Sequence, residues 1–267
     1  MKKIIYFITI TLLFSSCEKV IDVDLNSSDP QIVIEGVITN GTGPYTVKIT
    51  QTTDYFEPAD YPTISNAIVN ITDSEENFET LIEVEPGVYQ TSSLQGIEGR
   101  TYNLYINIGG DEYTASSYMP PVTPIDSLEY EEIEISFGGR NNENNYAVIA
   151  HFTDTENIEN YYRLKYYINS EFDGEIHVID DQLLDGNDIE FGSMLEDVKS
   201  SDEVIVELLG IDENVYDYFN TLATILGNGQ GSSSSSTTPS NPNSNISNGA
   251  LGYFAAYSSV KQSIVIN

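Results

Sequence analysis

The sequence predicts a mainly β protein, with an N-terminal β-sandwich followed by a second β-rich domain that carries one α-helix. Many short apolar or alternating segments follow one another with turn signals between them, which is typical of a sandwich. Tyrosine numbers 19 and tryptophan is absent, and tyrosine favours strands. One segment has helical spacing instead, which predicts the single helix.

The first 16 residues have the layout of a secretory signal peptide. Two lysines follow Met1, Ile4–Phe14 is almost wholly apolar, and two small serines come next. This apolar run of 11 residues is shorter than the roughly 20 that a membrane-spanning helix needs. Segment 1–16 is therefore predicted to direct export.

Cys17 is the only cysteine of the chain and directly follows the two serines. The arrangement resembles a bacterial lipobox, in which the thiol receives a lipid after cleavage between Ser16 and Cys17. The alternative is an ordinary signal peptide with an incidental cysteine, although a lone thiol in an oxidising compartment invites unwanted pairing. We predict lipidation of Cys17 and anchoring to the outer membrane, with the periplasmic and cell-surface sides both open.

The chain is strongly acidic. Its 10 Lys and Arg residues face 42 Asp and Glu residues, a formal net charge of -32, and without segment 1–16 the balance is 8 against 42, or -34. Nucleic acid is excluded as a partner, because binding it requires a basic face that releases phosphate counterions. Anionic lipid is repelled as well, so membrane attachment would come from the acyl chains.

Residues 17–30 are predicted to be an acidic tether and residues 31–120 the sandwich. Its strands are expected at "QIVIEGVIT", "YTVKITQT", "AIVNITD", "TYNLYINI" and "EYTASSYM", with turn signals at "NGTGP", "EPG" and "IGGDE". The three prolines of "MPPVTP" cannot lie in a central strand. The domain boundary is therefore placed at this segment.

Residues 125–267 are predicted to form the second domain. Strands are expected at "DSLEYEEIEISF", "YAVIAHFTD", "YYRLKYYIN", "GEIHVID" and "DEVIVELLGI", and the third of these carries large groups on both faces. A helix is predicted near residues 213–226 and is expected to end at Gly227. Five residues recur there at spacings of three and four: Val215, Tyr218, Phe219, Leu222 and Leu226.

The segment 227–249 is rich in Gly, Ser, Asn and Pro and is expected to be a disordered insertion. Strand character resumes at "ALGYFAAYSSVKQSIVIN", so the chain is expected to return to the sheet in two final strands.

No catalytic motif is present. The two histidines, His151 and His177, lie in mid-strand segments without a nucleophile motif, and there is no G-x-S-x-G or H-E-x-x-H sequence. Both are interpreted as structural or surface residues. We therefore predict a protein that is not an enzyme and that carries no cofactor.

The densest acidic stretch is Asp180–Glu190, "DDQLLDGNDIE". It does not follow the EF-hand order of alternating oxygens before the glycine, so no metal site is predicted, although calcium binding there is left open. With 42 carboxylates, close pairs arise by chance, so a glycosidase has no specific support.

Two further features are candidate sites. "DSL" at Asp126–Leu128 resembles the short O-glycosylation acceptor of Bacteroidota, with Ser127 as the acceptor. The tyrosines of "YYRLKYY" and "VYDYF" are candidates for a stacking platform that contacts a glycan or peptide. Core and strand packing is the simpler explanation for most of them.

Several segments, taken in order, resemble an uncharacterised family of Bacteroidota outer-membrane lipoproteins: "CEKVIDVDL", "PQIVIEGVIT", "YTVKITQTTDYF", "YTASSYMPPVTPIDSL", "ENYYRLKYY" and "NGALGYFAAYSS". Residues Ala67–Met119 also resemble the immunoglobulin-like domain related to carboxypeptidase regulatory modules, so the sandwich is expected to be immunoglobulin-like. The chain departs from the family at "GVIT", where an aromatic often follows the glycine, and in its serine-rich insertion.

Members of that family are often encoded beside TonB-dependent transporters. The resemblance therefore implies a lipid-anchored accessory or ligand-capture protein of a TonB-dependent barrel, with an unknown ligand and no catalytic residues. The alternatives are an independent surface adhesin or glycan-binding lipoprotein, and a hydrolase whose acidic pair the sequence does not identify.

Overall fold

In the computed structural model of the chain, residues 29–53, 61–133, 135–137, 140–142, 146–195, 198–227 and 240–267 are described. Cys17, the predicted signal peptide and nearly all of the tether lie outside these ranges. Within them, no helix is long and apolar enough to cross a membrane. The regular structure of the described part is nearly all β, with one helix, so the predicted mainly β fold class is confirmed.

Eight strands form the described part of the first half of the chain. The bounds are β1 (Ile32–Thr39), β2 (Thr46–Gln51), β3 (Ile68–Asp73), β4 (Phe78–Thr80), β5 (Ile82–Glu85), β6 (Val88–Gln90), β7 (Thr101–Ile108) and β8 (Asp111–Tyr118). The five predicted strands are all present. Three more strands, β4, β5 and β6, were not predicted, because with three or four residues each they are too short to give an alternating pattern.

The residues described in the second half form ten strands and the helix α1 (Glu213–Leu226). The final segment, expected as two strands, is one strand of 15 residues. The bounds are β9 (Ser127–Glu132), β10 (Ile135–Phe137), β11 (Arg140–Asn142), β12 (Tyr146–Thr153), β13 (Tyr161–Ile168), β14 (Glu171–Phe172), β15 (His177–Asp180), β16 (Asp188–Leu195), β17 (Glu203–Ile211) and β18 (Leu251–Val265).

The last strand of the chain lies in the middle of a nine-stranded sheet. The sheet has the order β14-β13-β17-β18-β1-β2-β6-β5, with β15 beside β13. β18 pairs with β1 in parallel and with β17 antiparallel. The predicted domains, residues 31–120 and 125–267, therefore do not each form their own sheets. Strand β18 of the second range lies beside β1 of the first range in one continuous sheet.

Two smaller sheets cover one face of this large sheet. The four-stranded sheet β4-β3-β7-β8 packs on β1, β2 and β18 around a core that includes Ile34, Ile71, Leu104 and Phe254. The three-stranded sheet β16-β12-β9 packs on β13 and β17 around a second core. The first pair of sheets is the predicted β-sandwich, with side chains alternating between the core and solvent.

Helix α1 covers the opposite face of the large sheet. Val215 and Phe219 pack there on β17 and β18. The carboxylate of Asp212 caps the first turn by accepting a hydrogen bond from the Val215 amide at 2.9 Å. Gly227 ends the helix as predicted, in the left-handed conformation with φ of 83°.

Part of the segment predicted to be disordered is packed. Residues 228–239 lie outside the described residues, but residues 240–249 are described. Ile246 is buried in the first core, and the side-chain amide of Asn245 exchanges two hydrogen bonds with the backbone of Phe254. Composition misled the prediction for these residues, because one buried isoleucine and one asparagine fix a stretch that is otherwise polar.

Candidate functional site

A groove of about 660 Å³ lies on the outer face of the four-stranded sheet. Strands β3, β4, β7 and β8 form its floor, and the segment that precedes β18 forms one wall. None of the lining residues in the described part of the chain is charged, although the protein has a net charge of -32. The lining residues are Asn70, Thr72, Phe78, Asn103, Leu104, Tyr105, Thr114, Ala115, Ser116, Ser244, Asn245, Ile246 and Ser247.

The floor of the groove is a cross-strand row of four side chains. Phe78 lies opposite Thr72, Thr72 opposite Asn103, and Asn103 opposite Ser116. Successive residues of a strand point to opposite faces, so these side chains point away from the core that Ile71 and its neighbours fill. The row therefore presents one exposed aromatic ring and three polar groups side by side.

The three polar groups of this row are free to bind a ligand. The side chains of Thr72, Asn103 and Ser116 make no hydrogen bond to any described residue. Together they supply two hydroxyls and one amide, which act as both donors and acceptors. The aromatic ring of Phe78 is 61% exposed beside them.

A second row is held in place by hydrogen bonds. Tyr105 lies opposite Asn70 and Thr114, and its hydroxyl donates to Glu112 at 2.7 Å. This bond to a carboxylate raises the pKa of Tyr105 above its usual range. The contact orients the Tyr105 ring in the groove without placing Glu112 among the lining residues.

Ser247 attaches the wall of the groove to β8 by three hydrogen bonds. The backbone amide of Ser247 donates to the Thr114 carbonyl at 2.8 Å, and the Ser247 hydroxyl receives bonds from the Thr114 amide and hydroxyl at 2.8 and 3.0 Å. Buried Ile246 anchors the same segment in the core. The wall is thus a fixed part of the site.

The acidic stretch Asp180–Glu190 runs from the end of β15 through a loop into β16, and carboxylates brace this loop. Oxygens of Asp154, Asp181 and Asp185 lie within 4.8 Å of one another, which is a geometry that could hold a cation. Each carboxylate already accepts a backbone amide: Asp154 from Gly186 at 2.8 Å, Asp181 from Asn160 at 2.8 Å and Asp185 from Asn157 at 2.7 Å. Burial, followed by the charges of the other two, raises the pKa of Asp181.

An acidic cleft of about 490 Å³ adjoins this loop. Tyr161 and Tyr216 stack across it with ring centroids 5.1 Å apart, and the Tyr216 hydroxyl donates to Asp180 at 2.9 Å. Burial and this hydrogen bond raise the pKa of Tyr216 to about 12. Most tyrosines of the predicted platform are therefore packing residues: Tyr161, Tyr216 and Tyr218 pack between α1 and the large sheet, and Tyr162 and Tyr166 are buried in the second core.

The two histidines lie in different surroundings. The Nε2 atom of His177 lies 3.1 Å from the Ser193 hydroxyl, and this contact was not predicted because the two residues come from different strands. Ser193 is 4% exposed, so the pair is an internal hydrogen bond that a substrate does not reach. His151 lies between Glu129 and Glu190, with nitrogen–oxygen distances of 3.8 and 3.7 Å.

Ser127 begins β9 and is exposed beside the proline-rich segment. Its position leaves the hydroxyl accessible. Cys17 lies outside the described residues, and Ser127 is not among the residues that line the groove.

One known protein family matches nearly the whole chain. A family described as "Domain of unknown function (DUF4249)" matches residues 18–263. The chain belongs to the DUF4249 family. The family description assigns no activity, and no curated protein matches this DUF4249 chain.

Among solved structures, the FN1–FN3 domains of chicken CNTN1 match with 12% sequence identity and a TM-score of 0.24. The match covers 67% of the DUF4249 chain and 60% of that chain, so less than two thirds of the chicken chain is spanned. A match with so low a TM-score does not bear on function.

Proposed function

We propose that this protein is a lipid-anchored ligand-capture protein of the outer membrane, that it performs no catalysis, and that the groove on the four-stranded sheet is its capture site. The observation that carries the proposal is an uncharged groove on a protein with a net charge of -32. Ligand sites combine a concave shape with a few polar groups that fix the orientation of the ligand.

The lining favours a neutral ligand rich in hydroxyl groups, such as a glycan. Thr72, Asn103 and Ser116 offer unused donors and acceptors, and Phe78 and Tyr105 offer ring faces for apolar contact. A charged ligand would find no partner among the described lining residues.

The lipobox of the sequence and the family resemblance support the cellular setting of the proposal. Lipidated Cys17 would hold the protein at the outer membrane, and a TonB-dependent barrel would receive the captured ligand. An independent surface adhesin would use the same groove without that barrel.

Binding of the full chain, solubilised in mild detergent, to a glycan array tests the capture site. Ser116→Tyr fills the groove and is expected to abolish binding. Thr101→Tyr, on the neighbouring strand β7, makes the same kind of change on the same outer face of the sheet but outside the lining. Equal binding by the two variants, or no binding of the wild type to any glycan, would contradict the proposed site.

Co-purification tests the transport role. The native protein, tagged at its C-terminus and extracted from its own outer membrane, is expected to bring down a TonB-dependent barrel in stoichiometric amount. Recovery of the lipoprotein alone, together with unchanged uptake in a deletion strain, would assign the groove to an adhesin.

A further inference from the structure

Positive charge is concentrated on the face of the nine-stranded sheet that carries α1. Arg163 and Lys165 of β13 and Lys261 of β18, here called the cationic triad, are three of only ten Lys and Arg residues in the chain. Lys165 lies opposite Glu207 of β17, and Glu207 lies opposite Lys261. Because residues two apart in a strand share a face, all three cations lie on the same surface.

One carboxylate lies among these three cations. Glu207 is buried, and its Oε1 atom lies 3.6 Å from the Lys261 Nζ atom. Its Oε2 atom accepts a 2.7 Å hydrogen bond from the hydroxyl of Tyr167. Glu207 therefore pairs with Lys261, and the other carboxylate that acts on this face, Glu35 of β1, forms no ion pair with Arg163.

Arg163 is the cation whose surroundings are hardest to explain without a ligand. Its side chain is 9% exposed, its Nε atom is buried without a hydrogen-bond partner, and none of the described carboxylates forms an ion pair with it. The guanidinium lies over Phe219 of α1, with Cζ 3.6 Å from the ring centroid. A ring face attracts the cation but accepts no conventional hydrogen bond from Nε and neutralises no charge.

Burial lowers the pKa of Arg163, but a guanidinium keeps its proton in proteins. Burying a charge without a partner is costly, and proteins normally pair such a group. Lys165 adds to the imbalance, since burial and then the charge of Arg163 lower its pKa, and its Nζ atom faces the Tyr257 ring at 5.8 Å.

We propose that the cationic triad binds an oxyanion, a carboxylate or phosphate group, with Arg163 as the buried anchor and Lys165 and Lys261 beside it. The planar fork of an arginine fits both kinds of group through two parallel hydrogen bonds. This site lies on a different sheet from the groove and is independent of the proposed capture function. Because the protein has a net charge of -32, the rest of its surface repels anions. Specific anion binding is therefore expected at the cationic triad.

Thermal unfolding of the full chain tests the proposal with two probes, inorganic phosphate and acetate, each compared with chloride at equal ionic strength. At least one probe is expected to raise the unfolding midpoint of the wild type, because a ligand that binds the folded state stabilises it. A response to phosphate alone assigns a phosphate group, and a response to acetate alone assigns a carboxylate.

Three variants complete the test. Arg163→Gln is expected to lose the response, and Lys261→Gln, whose side chain is 57% exposed and tolerates change, is expected to weaken apparent affinity about tenfold. Lys199→Gln is the matched control and keeps the full response. No rise with either anion, or a rise that survives in both triad variants, overturns the site. If Arg163→Gln does not fold, Lys261→Gln decides alone.

Discussion

The hydroxyl of Ser117 donates a 2.6 Å hydrogen bond to the carboxylate of Asp212, the residue that caps α1. The same hydroxyl accepts a hydrogen bond from the buried amide of Ala256 at 2.8 Å. One small side chain of β8 thereby connects the helix, the four-stranded sheet and the central strand β18. A second bond, from the Tyr118 amide to Asp212 at 2.8 Å, strengthens the connection.

Replacing Ser117 with alanine is expected to lower the free energy of unfolding by about 2–3 kcal/mol. The change removes a hydrogen bond to a charged group and leaves a buried amide without a partner. Chemical denaturation of the full chain measures the loss. Ser116→Ala, one residue away and exposed, is the control and is expected to change stability by less than about 0.5 kcal/mol. Equal effects in the two variants would mean that Ser117 makes no special connection.

Asp173 predicts a pH dependence of stability. Its Oδ2 atom is buried without a hydrogen-bond partner, and burial raises the pKa of Asp173 to about 6. The carboxyl of Asp173 holds its proton more tightly in the folded state than in the unfolded state. Its contribution to the free energy of unfolding is therefore fully present in acid and is lost as pH rises through about 6.

The variant Asp173→Asn is accordingly expected to be more stable than the wild type at pH 8, by about 1–2 kcal/mol after allowance for solvent screening, and to show little gain at pH 4. Unfolding midpoints across this pH range provide the measurement, with the exposed Asp111→Asn as the control. A gain that does not vary with pH would rule out the titration of Asp173 as its cause.

The acidic loop is expected to be under electrostatic strain. Asp181→Asn keeps an oxygen for the Asn160 amide but removes one of three crowded charges, so it should raise stability at neutral pH by about 0.5–1 kcal/mol. In a protein that already carries Asp185→Asn, the gain should be smaller, because the two sites interact. Additive gains in a double-mutant cycle would show that the carboxylates do not repel one another in solution.

Gly252 is expected to be essential for the pairing of β18 with β1. Its φ is 90°, and a Cβ atom there would lie 2.0 Å from the carbonyl oxygen of Ile34. Gly252→Ala should therefore cost more than about 4 kcal/mol or prevent folding. Gly99→Ala, at a φ of 80° with open space around it, should cost about 1 kcal/mol. Circular dichroism and thermal unfolding of both variants separate steric collision from backbone strain.

Local patterns in the sequence were sufficient for the helix and for most strands. Helix α1 occupies the predicted residues because apolar spacing, a capping aspartate and a terminal glycine all act within a few residues of one another. Leu226, the last residue of the predicted apolar stripe and of the helix, is nevertheless 58% exposed. β13 is buried on both faces as expected, with Tyr162 in a core and Arg163 beneath the helix.

Contacts between residues that are distant in sequence were not predictable from local patterns. The alternation of β18 indicates a strand but contains no information about β1, more than 200 residues earlier, as its neighbour. The groove was missed for the same reason, because Thr72, Asn103 and Ser116 come from three strands and look like ordinary exposed residues in each. The contact of His177 with Ser193 also depends on tertiary packing.

The central position of β18 has a consequence for biogenesis. A chain made from its N-terminus presents β1 more than 200 residues before β18, so the two strands that meet in the middle of the large sheet become available far apart in time. Until β18 emerges, β1 has one open edge and the first core lacks Phe254 and Ala256. Neither the large sheet nor the first core can be completed before β18 is available, so the folding of both halves is coupled through this one strand.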